Sequence, residues 1–283
     1  MTIRINTATC IHCNKCVQIC PAEIFTQDIV SKEITAHNTE NCIACGHCAC
    51  ACPSSSVVHS LFPTETIHAF NRTDLPTPEQ VLLLCQARRS NRTFTKKPIA
   101  TEHLTTILEA AHRAPTARNL QQVAFTLITD PEKLRAVTQF TIETFTAVTR
   151  KLNHPLLKPL LKLLMPDAYS YLPVFERMDT EFRQGLDPIL HNATALILIH
   201  TPKKNQFGSI DANLAYQNGS LMAESLNISQ LYTGFVYVAT RRRKQALEKL
   251  LGIHGEIQAG MALGVPAFLL TNYLDKKPIQ VSR

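Results

Sequence analysis

Between residues 77 and 271 the apolar positions recur at helical or strand spacing, and each spacing predicts an element. Leu104, Ile107, Leu108 and Ala111 fall at i, i+3, i+4 and i+7, one stripe of a helix that Pro115 must stop. Upstream of it, Thr77, Pro78 and Gln80 spell a helix start: a capping hydroxyl, a proline at the first helical position and the second half of a capping box. That helix is expected to end near Arg88. Val123–Ile128 reads as a strand, a helix follows from Glu132, and the apolar run Ala193–Ile199 reads as a buried strand over Leu196–Ile199. Further helices are expected over Asp211–Leu226 and from about Arg243 to Leu251, and a strand over Ala267–Thr271. The expected class is α+β, in two parts.

The first part has few large hydrophobes and no long period. Residues 61–78 carry Pro63, Pro76 and Pro78 and read as a connecting segment between residues 1–60 and residues 79–283. Residues 151–190 interrupt the second part, because Pro155, Pro159, Pro166 and Pro173 break any long helix there. A chain of 283 residues can bury about three quarters of its unfolded surface, enough for one large core and a small satellite.

Ten cysteines change the picture, since nine lie within residues 10–52. Residues 10–21 read CIHCNKCVQICP and residues 42–53 read CIACGHCACACP; both fit C-x2-C-x2-C-x3-C-P, and Asn6-Thr7 and Asn38-Thr39 extend the match upstream. This is an internal repeat. Three cysteines in a tight loop wrap three irons of a cubane, and the fourth, before proline, reaches the other cluster. The spacing therefore predicts two 4Fe–4S clusters, one held by Cys10, Cys13, Cys16 and Cys52, the other by Cys42, Cys45, Cys48 and Cys20. Zinc prefers separated C-x2-C pairs, and these triplets do not suit it. Cys50 is left over and reads as a small buried packing residue, and His12 and His47 as polar cover. Metal binding should supply much of the folding free energy of so short a segment. Residues 1–60 resemble a bacterial two-cluster ferredoxin, with Gly46 at a tight turn and Ile11, Val17, Ile19, Ile24, Phe25, Val57 and Val58 as the apolar shell.

The net charge of +7 divides unevenly: residues 1–60 are −1 and the remainder +8. Thiolate-ligated clusters on one side and a phosphate-bearing cofactor on the other bring the loaded protein close to neutral, so the basic excess does not imply nucleic acid. The aromatics do not interleave with the basic residues. No run approaches the roughly 18 apolar residues of a membrane span, and the N-terminus lacks a signal-like apolar stretch, so reduced thiols in a cytoplasmic protein are expected.

The nine glycines form neither G-x-G nor G-x-x-x-x-G-K, so any phosphate must be held by side chains. RRSNRTF, residues 88–94, crowds three arginines and a serine at a helix exit, which suits phosphate oxygens and equally a helix dipole. Taken in order, RRSNRTF, APTARNLQ (114–121) and ALGVP (262–266) resemble the nitroreductase family of FMN-dependent oxidoreductases, over roughly residues 79–283. The resemblance implies that Arg88, Arg89, Ser90 and Arg92 hold FMN. It further implies that Pro115, Thr116, Ala117 and Asn119, from a partner subunit, line the isoalloxazine, and that Thr233 and Gly234 face flavin N5. Lys276 or Lys277 stands where the family carries a basic residue for the phosphate. The family also implies a homodimer built largely by the helix at 211–226, with residues 151–190 as a lid in which Tyr169, Tyr171, Phe175 and Arg177 face substrate. Cys85 reads as core, and Arg241–Lys244 as a solvated helix start or a docking patch for an acidic donor.

Together these parts imply an iron–sulfur flavoprotein oxidoreductase that passes electrons from a low-potential donor, a ferredoxin or NAD(P)H, to a small organic acceptor: a nitroaromatic, a quinone or an activated alkene. The alternative is a flavoprotein electron carrier or redox sensor serving a partner protein. No catalytic side chain is identifiable from the sequence.

Overall fold

A computed structural model describes residues 1–282. The chain divides into two units, Met1–Pro76 with Ala117–Leu120, and Thr77–Thr116 with Gln121 onward.

The first unit carries its internal repeat into three dimensions. β1 (Ile3–Ile5) pairs antiparallel with β4 (Val57–His59), and β2 (Phe25–Gln27) pairs with β3 (Ile34–Ala36). Each cysteine run ends in a five-residue helix, α1 (Lys15–Ile19) and α2 (His47–Ala51). Left-handed backbone recurs at matching repeat positions: His12 and Ala44, Asn14 and Gly46, Glu23 and Ser55. Only one of these six is glycine, so the other five hold a conformation that L-residues disfavour, and the shared loop geometry must be fixed by what the loop surrounds. Ile3, Ile24, Phe25, Ile34 and Val57 are buried with Cys16 and Cys48, whereas Ile11, Ile19 and Val58, expected in the shell, are exposed. Cys50 is exposed as well, contrary to its reading as a packing residue: it lies on the outer face of α2, away from the buried Cys48 and Ala49.

The second unit is a four-stranded antiparallel sheet with helices on both faces. α3 (Pro78–Ala87) begins with the expected capping box, and α4 (Thr101–His112) follows the apolar stripe read from the sequence. Next come β5 (Ala124–Ile128), α5 (Pro131–Leu152) and three short helices where prolines were expected to break the chain: α6 (Lys158–Leu164), α7 (Pro166–Ser170) and α8 (Leu172–Arg183). The remainder is β6 (Ala195–Thr201), α9 (Gly208–Ser225), β7 (Ser229–Tyr232), α10 (Gly234–Arg242), α11 (Ala246–Leu251) and β8 (Glu256–Gly264). The strand order is β5-β6-β8-β7, so β6 and β8 are central. Every residue of β6 is buried: Ala195, Ile197 and Ile199 face the core with α4 and α9, while Leu196 and Leu198 face the core with α5 and α10. Gly219 lets α9 lie close to its neighbours, since a Cβ there would stand 3.0 Å from Met261 and 3.2 Å from Ala111.

Four expectations fail here. The helix expected from Arg243 starts at Ala246, because Gln245 sits at φ 62° and separates two helices. The arginine run closes α10 instead of opening a helix, with Arg241 pairing with Glu256 at 3.8 Å and Arg243 with Glu143 at 3.4 Å. No strand forms at Ala267–Thr271; Ala267 N–H reaches Thr93 O at 2.9 Å and Asn91 Nδ2 donates to Phe268 O at 3.0 Å, after which the tail has no strand partner. The strand content lies in β7 and β8, where Gln230 and Gly260 weaken the apolar pattern that sequence reading depends on. Cys85, expected in the core, is exposed along with Val81, Leu82 and Leu83 of α3. Among the described residues no helix is long and apolar enough to cross a membrane.

Candidate functional site

In the first unit one cavity is lined by Cys20, Cys42, Cys45 and Cys48, closed by Ile24, Phe25 and His59. These are the cysteines that the spacing groups together, three from one run and one from the other. Burial, followed by the repulsion of Cys20, Cys45 and Cys42, pushes the Cys48 thiol up to about 11. In the other set burial raises the Cys16 thiol, and Cys52 and Cys10 add to it; Cys13 is exposed. Clustered buried thiolates repel one another, so the charged form needs a bound cation, and iron in a cubane fits that donor set.

Hydrogen bonding to sulfur repeats as well. Ile24 N–H donates to Cys20 Sγ at 3.4 Å and Ser56 N–H to Cys52 Sγ at 3.1 Å, each from four residues onward. Burial works to raise the Cys52 thiol, yet the Ser56 and Ser54 hydrogen bonds outweigh it and hold the group below its ordinary value. Ala44 N–H donates to Cys42 Sγ at 3.3 Å, and His59 Nε2 lies 3.6 Å from the same sulfur. His12 Nδ1 bonds Lys32 O at 2.8 Å. Within this unit Asn119 Nδ2 donates to Ala44 O, which ties the segment Ala117–Leu120 to the second cysteine loop.

In the second unit Arg88–Phe94 leaves α3 and runs along the sheet. Ser90 bridges Gln230 of β7 in parallel, and Phe94 bridges Pro266. Gln230 is fully buried; it accepts from Tyr216 Oη at 2.8 Å and donates to Arg89 O at 3.4 Å, so α9 and β7 together fix the arginine segment. Burial raises the Glu224 carboxyl, and Arg89 N–H and the Arg88 charge oppose that rise, which puts Glu224 beside the first two arginines.

Arg92, Thr233 and Gly234 converge on a cavity of about 510 Å³ whose far wall is Phe145, Tyr171 and Phe175. Thr233 N–H donates to Gly260 O at 3.0 Å, which anchors the turn into α10 on the central strand β8. Of the expected substrate-facing residues, Tyr171 and Phe175 line this cavity, Tyr169 Oη is engaged with Leu152 O at 2.7 Å, and Arg177 pairs with Glu181 at 3.5 Å beside an adjoining cavity. Thr116 lines a different, small pocket with Ala111 and His112, and Pro115, Ala117 and Asn119 do not line the large cavity. Lys276 and Lys277 lie in the exposed tail, away from it.

The matching family models divide the chain as the cysteines do. Residues 85–265 match the model described as "Nitroreductase family", and residues 2–53 match the one described as "4Fe-4S dicluster domain". The chain belongs to the nitroreductase family. Two curated relatives of this chain are an NADPH-flavin oxidoreductase of Vibrio harveyi, 28% identical over 183 residues, and an FMN reductase [NAD(P)H] of Bacillus subtilis, 24% identical over 189. The first match covers 64% of this chain and the second 63%, and each spans 63% of the relative's own length. Among solved structures, a nitroreductase with bound FMN from Bacteroides fragilis matches with a TM-score of 0.54 and 22% identity, over 72% of this chain and 99% of that one. Another with bound FMN, from Desulfitobacterium hafniense, matches with a TM-score of 0.55 and 18% identity, over 72% and 98%. These likenesses establish the fold of the second unit.

Sequence reading missed several residues of the candidate site. His191 lines the large cavity; burial, then Arg92, holds its pKa below the usual histidine value. His191 and its neighbour Asn192 both take positive φ, beside Asp187, whose carboxylate accepts from the N–H groups of Leu190 and Asn192 at 2.9 and 3.0 Å. Phe145, Tyr216, Gln230 and Phe235 are likewise silent in sequence, because each sits in an ordinary helical or strand pattern.

Proposed function

We propose that this chain is an iron–sulfur flavoprotein oxidoreductase that passes electrons between two 4Fe–4S clusters and FMN and reduces a small organic acceptor. When bound, the clusters supply one-electron transfer and FMN the exchange between single electrons and pairs. The observation that carries the reading is the presence, on one chain, of a cavity lined by four cysteines and a second cavity shared by Arg92, Thr233 and Gly234.

The crossed cysteine sets are the ligands in this reading. Arg88, Arg89, Ser90 and Arg92 would grip FMN through guanidinium forks and a hydroxyl, and, with Thr233 N–H given to Gly260 O, the turn would offer the Gly234 N–H to the ring. Pro115, Thr116, Ala117 and Asn119 reach a flavin across a homodimer interface, and Lys276 or Lys277 completes the phosphate contacts from the tail. A dimer is supported by the apolar surface of the second unit: Leu82 and Leu83 on α3, Ile210 on α9, and Phe268 and Leu269 in the tail are all exposed. Residues 151–190 act as the lid, since Tyr171 and Phe175 wall the cavity.

The large cavity favours an enzyme over an electron carrier or redox sensor, because a carrier has no use for an apolar chamber of about 510 Å³ beside Thr233. Electrons come from a low-potential ferredoxin or from NAD(P)H. The test is anaerobic purification with iron, sulfide and flavin analysis, then stopped-flow reduction by ferredoxin against NADH and NADPH, with turnover of nitroaromatics and quinones. Saturable turnover with both chromophores changing redox state is the expected result. Flavin reduced and turned over while the clusters stay unchanged would defeat the reading.

A further inference from the structure

The large cavity has a charge pattern that FMN contacts leave unexplained. Its walls are apolar and aromatic: Phe145 and Phe175 stack at 4.5 Å and 20°, Tyr171 continues the stack at 6.2 Å and 19°, and Phe235 meets Phe145 edge-on at 5.6 Å and 84°. A ladder of near-parallel rings suits a flat aromatic guest. Two arginines, Arg92 and Arg242, line this chamber, and among the described residues no aspartate or glutamate does.

Arg242 is set apart from its neighbours. Arg241 pairs with Glu256, and Arg243 pairs with Glu143 and lies 4.7 Å over the Phe140 ring. Arg242, between them at the end of α10, joins no ion pair among the described residues and lines the cavity. An arginine that only neutralised the helix C-terminus would have no reason to border an acid-free chamber. His191, the other titratable ring there besides the tyrosines, has its pKa lowered by burial and then by Arg92, against the carboxylates of Asp187 and Glu181.

We infer that Arg242 recognises an anionic group on the acceptor, so that the substrate class is a planar aromatic or conjugated acid with one carboxylate directed at α10 and its ring against Tyr171 and Phe175. This deepens the proposed function and rests on it. A guanidinium fork receives a carboxylate bidentately, and Arg242, exposed at the end of α10, is open to an incoming anion. With Arg92 engaged by FMN, Arg242 is the cation left for substrate.

The test compares 4-nitrobenzoate with 4-nitrobenzamide as acceptors for the cluster- and flavin-loaded protein, and measures binding of labelled benzoate by equilibrium dialysis. In Arg242→Gln the acid-to-amide ratio of kcat/KM should fall about tenfold, mostly through KM, and benzoate affinity should fall by a similar factor. Arg242→Lys should recover part of both, and Arg241→Gln, whose side chain points to Glu256, should leave both ratio and affinity as they were. An acid-to-amide ratio that does not move in Arg242→Gln, or benzoate affinity that is the same in both proteins, overturns the inference. If neither nitro compound is turned over but benzoate binding still depends on Arg242, the anion site stands and the proposed activity falls. If both are turned over without discrimination by charge, the reverse holds.

Discussion

Cys20, from the first cysteine run, lines the same cavity as Cys48, from the second. The repeat is therefore exchanged in space, and paired substitutions should expose the exchange. Cys10→Ser with Cys52→Ser removes ligands from one cluster and should leave about four irons per chain, whereas Cys10→Ser with Cys20→Ser touches both clusters and should leave close to none. Iron and sulfide analysis after anaerobic reconstitution reads the difference; the opposite pattern would mean that each run closes its own cluster.

A side chain at position 260 should disturb the turn at Thr233. A Cβ there would stand 2.4 Å from Thr233 Oγ1 and 3.3 Å from Ile197 O, a rigid strand carbonyl. Gly260→Ala should cost about 1–3 kcal/mol, seen as a lower melting temperature, and should weaken flavin retention on gel filtration. Gly252→Ala, where no neighbour lies within 4 Å, meets only the backbone strain of φ +68° and should retain flavin.

Tyr216→Phe removes the hydroxyl that donates to buried Gln230 Oε1 at 2.8 Å, leaving that oxygen without its partner. The expected loss is about 1–3 kcal/mol in a denaturant titration. Because Gln230 also holds Arg89 O, flavin affinity should fall further than the change in folding stability alone predicts. Unchanged flavin affinity would detach the arginine segment from this relay.

His200 on β6 is buried, bonds Thr126 Oγ1 at 3.1 Å, and has its pKa lowered from 6.5 by burial. The unfolded chain therefore takes up a proton first as pH falls below 6.5, so the stability that the neutral ring contributes is present above that value and is lost as pH drops through the window beneath it. Denaturant titrations of wild type and His200→Gln should converge as pH is lowered from about 7.5 to 5.5; parallel curves would show that the ring is not desolvated.

The elements most legible in sequence were those whose signal is local. Thr77, Pro78 and Gln80 form the cap they spell, the stripe of Leu104 to Ala111 is the buried face of α4, and the run at 195–199 is the central strand. The failures have a common cause. α10 carried no expectation from sequence, because FVYVAT has strand-like composition and only Val236, Ala239 and Thr240 packing inward makes it a helix; FLL after Pro266, expected as a strand, finds no strand partner. Cys50 reads as interior from its place between Ala49 and Ala51 and Cys85 as core, yet both are exposed, since neither position says which face of its helix a thiol takes.

The sequence by itself determined the chemistry of the first unit, because ligand identity and spacing along a tight loop decide what metal a loop can wrap, and it determined the family of the second through motifs in fixed order. The crossing of Cys20 to the other run was already written in the spacing; tertiary structure alone decided that Gln230 links Tyr216 to Arg89 and that His191 and Arg242 line one chamber. Those relationships join positions far apart in the chain. Their energies come from burial and from charges brought together across space, and no periodicity in a linear pattern records them.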